Sequence, residues 1–207
     1  HLFPTDARVE FSGTYKMKNK TGFSIDTVHS NFSTRFPFTK YDWSIDNELV
    51  QRDSIFGWDM YVFDPPIMPG DEFLLQFAGS QERQGFSNSG VNMTVVENGT
   101  LIFSSQIMPT FGYDPSRELS QKRTRKKYGL KEEQDPMPAY DDPEGLKNGI
   151  LGDDADWVDY EMIVSTDPDQ IAMTPGYLQN EWSEEGRRFF HYKMDQPIHN
   201  LFAFVSG

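Results

Sequence analysis

The stretch Arg8-Val-Glu-Phe-Ser-Gly-Thr-Tyr-Lys-Met-Lys18 alternates apolar or small residues with polar residues along its whole length. Successive side chains of a β-strand point to opposite faces of the sheet, so this pattern gives each face its own residue type. The face that would turn toward a core carries Val9, Phe11, Gly13, Tyr15 and Met17. The pattern therefore predicts one long, half-buried strand.

The same alternation returns four more times, and turn-forming residues separate the runs. The apolar positions of these runs are Phe73, Leu75 and Phe77; Val91, Met93 and Val95; Val158, Tyr160, Met162 and Val164; and Phe190, Tyr192 and Met194. Turn signals between them include Pro69-Gly70, Asn98-Gly99 and Glu185-Gly186. Many short strands with regular turns and few helical stretches predict an all-β fold, an antiparallel β-sandwich.

The composition excludes several classes of site and partner. The 207 residues include 19 Lys and Arg against 32 Asp and Glu, which gives a formal net charge of −13. The lack of cysteine excludes a disulfide framework, a thiolate zinc site and a cysteine nucleophile. Phosphate binding depends on basic surface, so we expect no nucleic-acid partner. No run approaches about 18 apolar residues, so we expect no membrane-spanning segment here.

Both ends of the chain indicate a longer parent protein. The sequence begins at His1 without an initiator methionine and stops directly after the apolar run 201–205. A chain of this size can bury roughly 70% of its unfolded surface and so sustain its own core. We expect residues 1–207 to form a single domain that is a fragment of a longer protein.

One segment breaks the alternation and predicts a helix over 114–129. Asp114 can cap the free amides, Pro115 suits the first helical position, and Gly129 suits the residue just past the end. We expect a charged helix and loop excursion over 114–152. The cations of this helix either are neutralised by the acidic stretch 132–144, which we favour, or contact anionic lipid headgroups or a phosphate-rich partner.

The residue patterns of known catalytic and metal sites are mostly missing. The His-Glu-x-x-His signature is absent, and so are a glycine-rich phosphate loop and a Gly-x-Ser-x-Gly elbow. His191 lies in a predicted strand, where we expect a solvent-facing or hydrogen-bonded structural role. The acidic cluster lacks the EF-hand pattern and predicts a solvated turn, with a divalent-cation site as the alternative; its members are Asp153, Asp154, Asp156, Asp159 and Glu161.

Three stretches, taken in order, resemble the N-terminal domain of zinc aminopeptidases of the aminopeptidase N type. They are Phe63-Asp-Pro-Pro-Ile-Met-Pro-Gly-Asp-Glu-Phe-Leu-Leu-Gln-Phe-Ala-Gly79, the run from Trp157 to Tyr177, and the run from Arg188 to Gly207, which contains Leu201-Phe-Ala-Phe-Val-Ser-Gly207. With the opening strand and turn at Tyr15-Lys-Met-Lys-Asn-Lys-Thr21, the resemblance covers most of the chain. The order and spacing of these motifs carry it, because no single motif is specific.

A narrower resemblance points to a bacterial branch in which the peptidase-like region is fused behind the membrane segments of an ABC-transporter permease. It rests on Pro109-Thr-Phe-Gly-Tyr-Asp-Pro-Ser-Arg-Glu-Leu119, the charged helix after it, and Asp154-Ala-Asp-Trp-Val-Asp-Tyr160. The resemblance implies a saddle-like sandwich that walls one side of a peptide cleft. It also implies a catalytic domain after Gly207 that holds the zinc and the general base.

Gln106 is the one candidate substrate-binding residue. Family members carry a Gln or Glu, which grips the free amine of the substrate, about nine residues before a Pro-Cys-x-Asp-x-Pro motif. Counting back from Pro109 reaches Thr100 instead, and only a shortened strand would bring Gln106 to that place. The alternative for Gln106 is an ordinary amide at a strand edge.

These observations predict a non-catalytic domain of a membrane-tethered zinc aminopeptidase-like protein. We expect no catalytic residue, metal ligand or cofactor in this chain, with the zinc held by the parent's catalytic domain. The partners would be that domain and, through it, a peptide substrate; membrane contact would come only through other segments of a bacterial parent, with this domain on the extracytoplasmic side. The alternative is a stand-alone carbohydrate- or protein-binding sandwich that presents Trp43, Trp58, Trp157 or Trp182. An enzyme that uses paired carboxylates ranks last.

Overall fold

The computed structural model describes residues 1–83, 94–112, 118–131, 139–143, 145 and 156–207. Most of the described chain is β-strand. The strands are β1 (Leu2–Phe3), β2 (Arg8–Lys18), β3 (Ile25–Asn31), β4 (Phe38–Trp43), β5 (Asn47–Asp53), β6 (Trp58–Ile67), β7 (Glu72–Glu82), β8 (Val95–Val96), β9 (Gly99–Phe103), β10 (Thr110–Phe111), β11 (Trp157–Val158), β12 (Glu161–Thr166), β13 (Ala172–Met173), β14 (Tyr177–Glu184), β15 (Arg187–Lys193), β16 (Ile198–His199) and β17 (Ala203–Ser206). Two short helices, α1 (Ser104–Ile107) and α2 (Lys122–Lys127), accompany them.

The strands form five sheets in which the paired strands run antiparallel. The strand orders are β1-β2-β7-β4, β10-β3-β6-β5, β12-β15-β14, β13-β17-β9-β8 and β11-β16. The first two sheets enclose one hydrophobic core, and the β12 and β13 sheets enclose a second core with one end of the first sheet. The predicted all-β, antiparallel, sandwich-like fold is confirmed.

Strand β2 pairs with β7 along its entire length, from Arg8 opposite Glu82 to Lys18 opposite Glu72. The alternation predicted for β2 is present, because from Ser12 onward the even-numbered side chains are exposed and the odd-numbered ones are partly covered. The odd-numbered face spans both cores: Val9 packs in one and Met17 against the other. One strand pair therefore holds the two halves of the molecule together.

Two reciprocal glycine–phenylalanine pairs explain the small residues in these strands. Gly13 lies opposite Phe77, and Phe11 lies opposite Gly79. A Cβ atom on Gly13 would come within 2.5 Å of Phe77 Cζ, and one on Gly79 within 2.5 Å of Phe11 Cζ. Each ring thus covers the glycine across from it, and neither glycine position has room for a side chain.

The core between the first two sheets is built around Trp43. Its ring lies 5.3–6.0 Å from those of Tyr41, Tyr61, Phe63, Phe73 and Phe111. Tyr61 Oη also donates to Asp59 Oδ2 at 3.2 Å. Asp59 is buried and takes two hydrogen bonds from Arg52, at 3.0 and 2.8 Å, which compensate the burial of its charge.

The second core is aliphatic and aromatic, and β1 helps to close it. Leu2 of β1 packs there with Val9, Ile102, Phe190 and Phe204, all of them buried. The alternation expected at 190–194 is confirmed, since Phe190 and Tyr192 point inward. The sequence predicts one alternating run over 158–164, but this run is divided between two strands. Strand β11 pairs with β16, and β12 pairs with β15. Val91 and Met93 lie outside the described residues.

The charged helix is shorter than the sequence predicts. Helix α2 covers Lys122–Lys127, and the prediction that residues 118–121 are helical is wrong. The reason is Arg125, whose buried guanidinium donates to Glu118 Oε2 at 2.8 Å and to the Leu119 carbonyl at 2.9 Å. These bonds fold the preceding segment against the helix. The predicted end is confirmed, because Gly129 has a φ of +69°.

Several parts of the predicted excursion, among them Asp114, Pro115 and the stretch 132–138, lie outside the described residues. Pairing between the basic helix and the acidic stretch therefore stays a prediction. Within the described ranges, no helix has the length and apolar character needed to cross a bilayer.

We expect Leu75→Ala to lower the free energy of unfolding by about 2–5 kcal/mol, since Leu75 is 0% exposed and its loss leaves a cavity. Leu74→Ala is the matched control on the same strand, because Leu74 is 38% exposed and should cost less than about 1 kcal/mol. Urea unfolding followed by circular dichroism measures both. Equal losses in the two variants would contradict the described orientation of β7.

Candidate functional site

Two described members of the acidic cluster, Asp156 and Glu161, are held by separate cationic partners. Both Asp156 carboxylate oxygens accept from Lys20 Nζ, at 3.1 and 2.8 Å. Glu161 accepts from His191 Nε2 at 2.7 Å and forms an ion pair with Lys193 Nζ at 3.1 Å. These hydrogen bonds lower the pKa of both carboxyl groups.

These contacts give Asp156 and Glu161 structural partners. His191 has the hydrogen-bonded position on its strand that the sequence predicts. Asp153 and Asp154 lie outside the described residues. Across the part of the chain that the structure describes, no three His, Asp or Glu side chains come together as metal ligands would.

Gln106 lies in the short helix α1, immediately after β9. Its Oε1 atom accepts from the Phe103 backbone N–H at 2.8 Å, which caps the start of the helix. The helix is fixed by Ser104, whose Oγ donates to the Asn200 carbonyl at 3.0 Å and accepts from the Phe202 N–H at 3.1 Å. Gln106 is therefore an amide at the end of a strand with a local partner. Its role toward a substrate amine stays a prediction.

Thr100, the position reached by strict counting, faces the core. It is buried in β9 opposite Ser206 of β17. Its side chain is only 4% exposed. Of the two positions that the family motif suggests, Gln106 alone lies at the surface of the molecule, where it is partly exposed.

The sheet that contains β9 exposes an apolar face that was not anticipated from the sequence. Its inner face is buried through Ile102, Phe204 and Ala172. On the outer face, Met173, Val205 and Leu101 form one cross-strand row, and Ala203 and Phe103 form the next row. Met173, Leu101 and Phe103 are 53%, 48% and 47% exposed. We call this set, Leu101, Phe103, Met173, Ala203 and Val205, the apolar face.

The apolar face has the properties of an interaction surface. Single exposed apolar residues are normal, whereas a contiguous exposed patch on a sheet marks a site of association. Sequence alternation did not reveal it, because β9 contains the unbroken run Leu101-Ile-Phe103. Such a run is expected when both faces of a strand become covered.

The four tryptophans occupy different environments. Trp43 lies within the aromatic core, Trp58 stacks on His29 at 5.3 Å, and Trp182 stacks on Phe189 at 5.1 Å. Trp157 is 61% exposed and lies 4.2 Å from the His199 ring. Trp157 is thus the tryptophan most open to a ligand, as an aromatic platform for the binding-module alternative would require.

We expect Gln106→Ala to lower the free energy of unfolding by about 0.5–1.5 kcal/mol, because the Phe103 N–H loses its acceptor. Gln106→Glu keeps a side-chain oxygen at this position and should preserve stability. Thermal unfolding and hydrogen exchange at the Phe103 amide measure the effect. A neutral Gln106→Ala substitution would show that the cap contributes nothing.

Sequence comparison and structural comparison give different results for this chain. No protein-family model matches it, and no curated protein matches it in sequence. Solved structures do match. The crystal structure of an M1 zinc metallopeptidase from Deinococcus radiodurans covers 99% of this chain with a TM-score of 0.53 and 12% sequence identity.

Structures of mutant M1 zinc metallopeptidases match this chain to a similar extent. A mutant of the Deinococcus radiodurans peptidase covers 99% of the chain with a TM-score of 0.52, and a two-domain M1 zinc metallopeptidase mutant bound to L-tryptophan covers 94% with a TM-score of 0.51, each at 12% identity. The chain spans only 38–39% of the length of these peptidases. The likeness is one of fold: this all-β chain has the architecture of about two fifths of an M1 zinc metallopeptidase.

Proposed function

We propose that this chain is the non-catalytic N-terminal domain of a membrane-tethered zinc aminopeptidase-like protein. In that protein it packs on the catalytic domain and shapes one wall of the peptide-binding cleft. The observation that carries the proposal is the match of nearly the whole chain to about two fifths of a zinc metallopeptidase. The motif order in the sequence supports the N-terminal position.

The proposal divides the chemistry between two domains. Zinc in the catalytic domain would polarise the scissile carbonyl and lower the pKa of its bound water. The described residues of this chain contribute no cluster of three metal-ligating side chains, and the His-Glu-x-x-His signature is absent from the sequence. Substrate would meet this domain only as a wall of the cleft, with Gln106 the candidate contact to its amine.

The apolar face supports packing on a second domain. A protein with a net charge of −13 keeps five neighbouring apolar side chains on an outward sheet face. Burial of such side chains is worth about 25 cal/mol per Å² of apolar surface, and interface cores are depleted of charge in this way. The occupant that we propose is the zinc-bearing domain of the same polypeptide, because the matched peptidases have a further three fifths of chain.

Membrane attachment is a further part of the proposal. It rests on the resemblance of 109–119 and 154–160 to the permease-fused bacterial branch. The anchor would belong to other segments of the parent, and the described domain would lie on the extracytoplasmic side. Protease protection of the parent in oriented membrane vesicles tests both statements.

We expect the parent polypeptide to release amino-terminal residues from peptides in a chelator-sensitive reaction, and the 207-residue chain to release none. Turnover of aminoacyl-fluorogenic substrates, with and without a zinc chelator, measures this. Chelator-sensitive turnover by the isolated chain would overturn the proposal. Two results together would favour the stand-alone binding module. The parent gene would stop at Gly207, and the chain would bind an oligosaccharide or a protein in a way that Trp157→Ala abolishes.

We expect the double substitution Leu101→Lys and Phe103→Lys to uncouple the two domains of the parent, because two ammonium groups would have to be buried in the interface. The parent should then unfold in two thermal transitions and be cleaved faster between its domains. Leu74→Lys is the matched control, since Leu74 is similarly exposed but lies on a different sheet. Identical behaviour of the double variant and the control would exclude the apolar face as the interface.

A further inference from the structure

The outer side of the sheet that contains β17 carries apolar side chains beyond the apolar face. Burial alternates along 201–206: the even-numbered side chains lie in the core, and the odd-numbered ones lie on the outer side, namely Leu201, Ala203 and Val205. Leu201 is 48% exposed and precedes Ala203 by two residues. Because side chains two residues apart in extended chain share a face, Leu201 lengthens the apolar face by one position.

The next outward side chain along the chain is His199, and it carries Trp157. His199 of β16 is exposed and lies opposite Trp157 of β11, with the two rings 4.2 Å apart. After His199 the chain bends at Asn200, whose carbonyl accepts from Ser104 Oγ at 3.0 Å. Ser104 directly follows Phe103 of the apolar face. A short, hydrogen-bonded stretch of chain thus connects the Trp157–His199 pair with the apolar face.

Trp157 is held in a fixed position although its ring is exposed. Its backbone N–H donates to Asp156 Oδ1 at 2.8 Å, and the Asp156 carbonyl accepts from the Asn200 N–H at 3.2 Å. Lys20, in the turn after β2, donates to both carboxylate oxygens of Asp156, at 3.1 and 2.8 Å. Because the ring is positioned before a partner binds, its burial in an interface would cost little conformational entropy.

The apolar face alone is small for a contact between domains. Interfaces between domains of one chain bury about 600–1,500 Å², and truncation of a few central residues accounts for most of the energy of an interface. The apolar face contributes five side chains, of which Phe103 is the one aromatic. Leu201 and the Trp157–His199 pair enlarge this surface, and tryptophan is among the residue types enriched at such central positions.

We propose that the interface with the zinc-bearing domain of the parent polypeptide extends from the apolar face over Leu201 to the Trp157–His199 pair, and that Trp157 is its aromatic anchor. The inference rests on the proposed function, since it takes the apolar face as the surface that the zinc-bearing domain covers. In the parent, the Trp157 ring would be buried against apolar side chains of that domain.

The surroundings of Trp157 favour a protein surface over a carbohydrate as the occupant. A ligand that stacks on an aromatic ring also needs polar groups placed to bind its hydroxyls. The charged groups of Asp156 and Lys20 bond to each other, whereas Leu201 and Phe103 offer exposed apolar surface. A tryptophan beside apolar side chains, with the neighbouring charges paired, matches the core of a protein interface, which is enriched in aromatic residues and depleted of charge.

Hydroxyl-radical footprinting of the native parent tests the proposal against a matched internal control. Tyr177 of β14 is 64% exposed, close to the 61% of Trp157, but it belongs to a different sheet. The modification rate of each residue is normalised to its rate in the urea-unfolded parent. We expect Trp157 and Leu201 to react at least about tenfold more slowly than Tyr177, because an interface core is packed as densely as a protein interior.

Two variants of the parent connect this protection to the apolar face. Trp157→Ala should speed proteolytic cleavage between the domains at least about tenfold relative to Tyr177→Ala, since it removes the anchor. In the double variant Leu101→Lys and Phe103→Lys, Trp157 should react like Tyr177, because both surfaces leave the same interface. Leu74→Lys is the control and should preserve the protection of Trp157.

Equal normalised rates for Trp157 and Tyr177 would overturn the proposal, as would protection of Trp157 that persists in the double variant. Protection that arises only after an oligosaccharide is added would overturn it in favour of a ligand platform. If Leu101 and Phe103 are protected while Trp157 is not, this inference fails and the packing through the apolar face stands. A parent that protects Trp157 but releases no amino-terminal residues would contradict the proposed peptidase function and leave this interface standing.

Discussion

The pairing of β2 with β7 is the interaction on which the rest of the structure depends. It is the longest continuous ladder in the described chain, and the covered face of β2 reaches one core through Val9 and the other through Met17. Strand β4 pairs with the other edge of β7 and brings Trp43 over the first core, while β1 leads from β2 toward the second. Loss of this ladder would separate the Trp43 cluster from the Phe190 and Phe204 cluster. The two small cores are stable together because one strand pair crosses both.

Two networks of hydrogen bonds compensate the burial of polar side chains inside the sandwich. Asp59 is paired with Arg52 and Tyr61, and Ser206 Oγ lies 2.6 Å from Thr166 Oγ1 and donates to Gln170 at 2.7 Å. Burial and its acidic neighbour raise the pKa of Tyr61, so its hydroxyl remains a donor at physiological pH. These two networks of buried polar side chains thus fix neighbouring strands to one another.

The sequence predicted strands correctly where one face of the strand is buried and the other is exposed to solvent. The alternation at Val9 to Met17 and at Phe73 to Phe77 predicted both the strands and their orientation, because burial on one face imposes a period of two. It was uninformative at Leu101-Ile-Phe103, where both faces are apolar and only coordinates show that the outer one is exposed. The helical prediction for residues 118–121 was wrong because Arg125 binds Glu118 and the Leu119 carbonyl, contacts that a capping pattern does not report. The family motif around Gln106 is out of register in the sequence, and Gln106 itself lies in the short helix α1 after β9.

The reciprocal pairs of Phe11 with Gly79 and Gly13 with Phe77 have a consequence for how the chain finds its fold. Strands β2 and β7 are far apart in sequence, so many alignments compete during the search. A slide of two positions keeps the apolar face inward, yet it would place Phe11 against Phe77 in one direction and Gly13 against Gly79 in the other. The first alignment crowds two rings, and the second leaves a void. The two glycine positions therefore favour the correct alignment of β2 and β7 over alignments shifted by two residues. This steric selection opposes trapping of the slowly forming ladder in a shifted register.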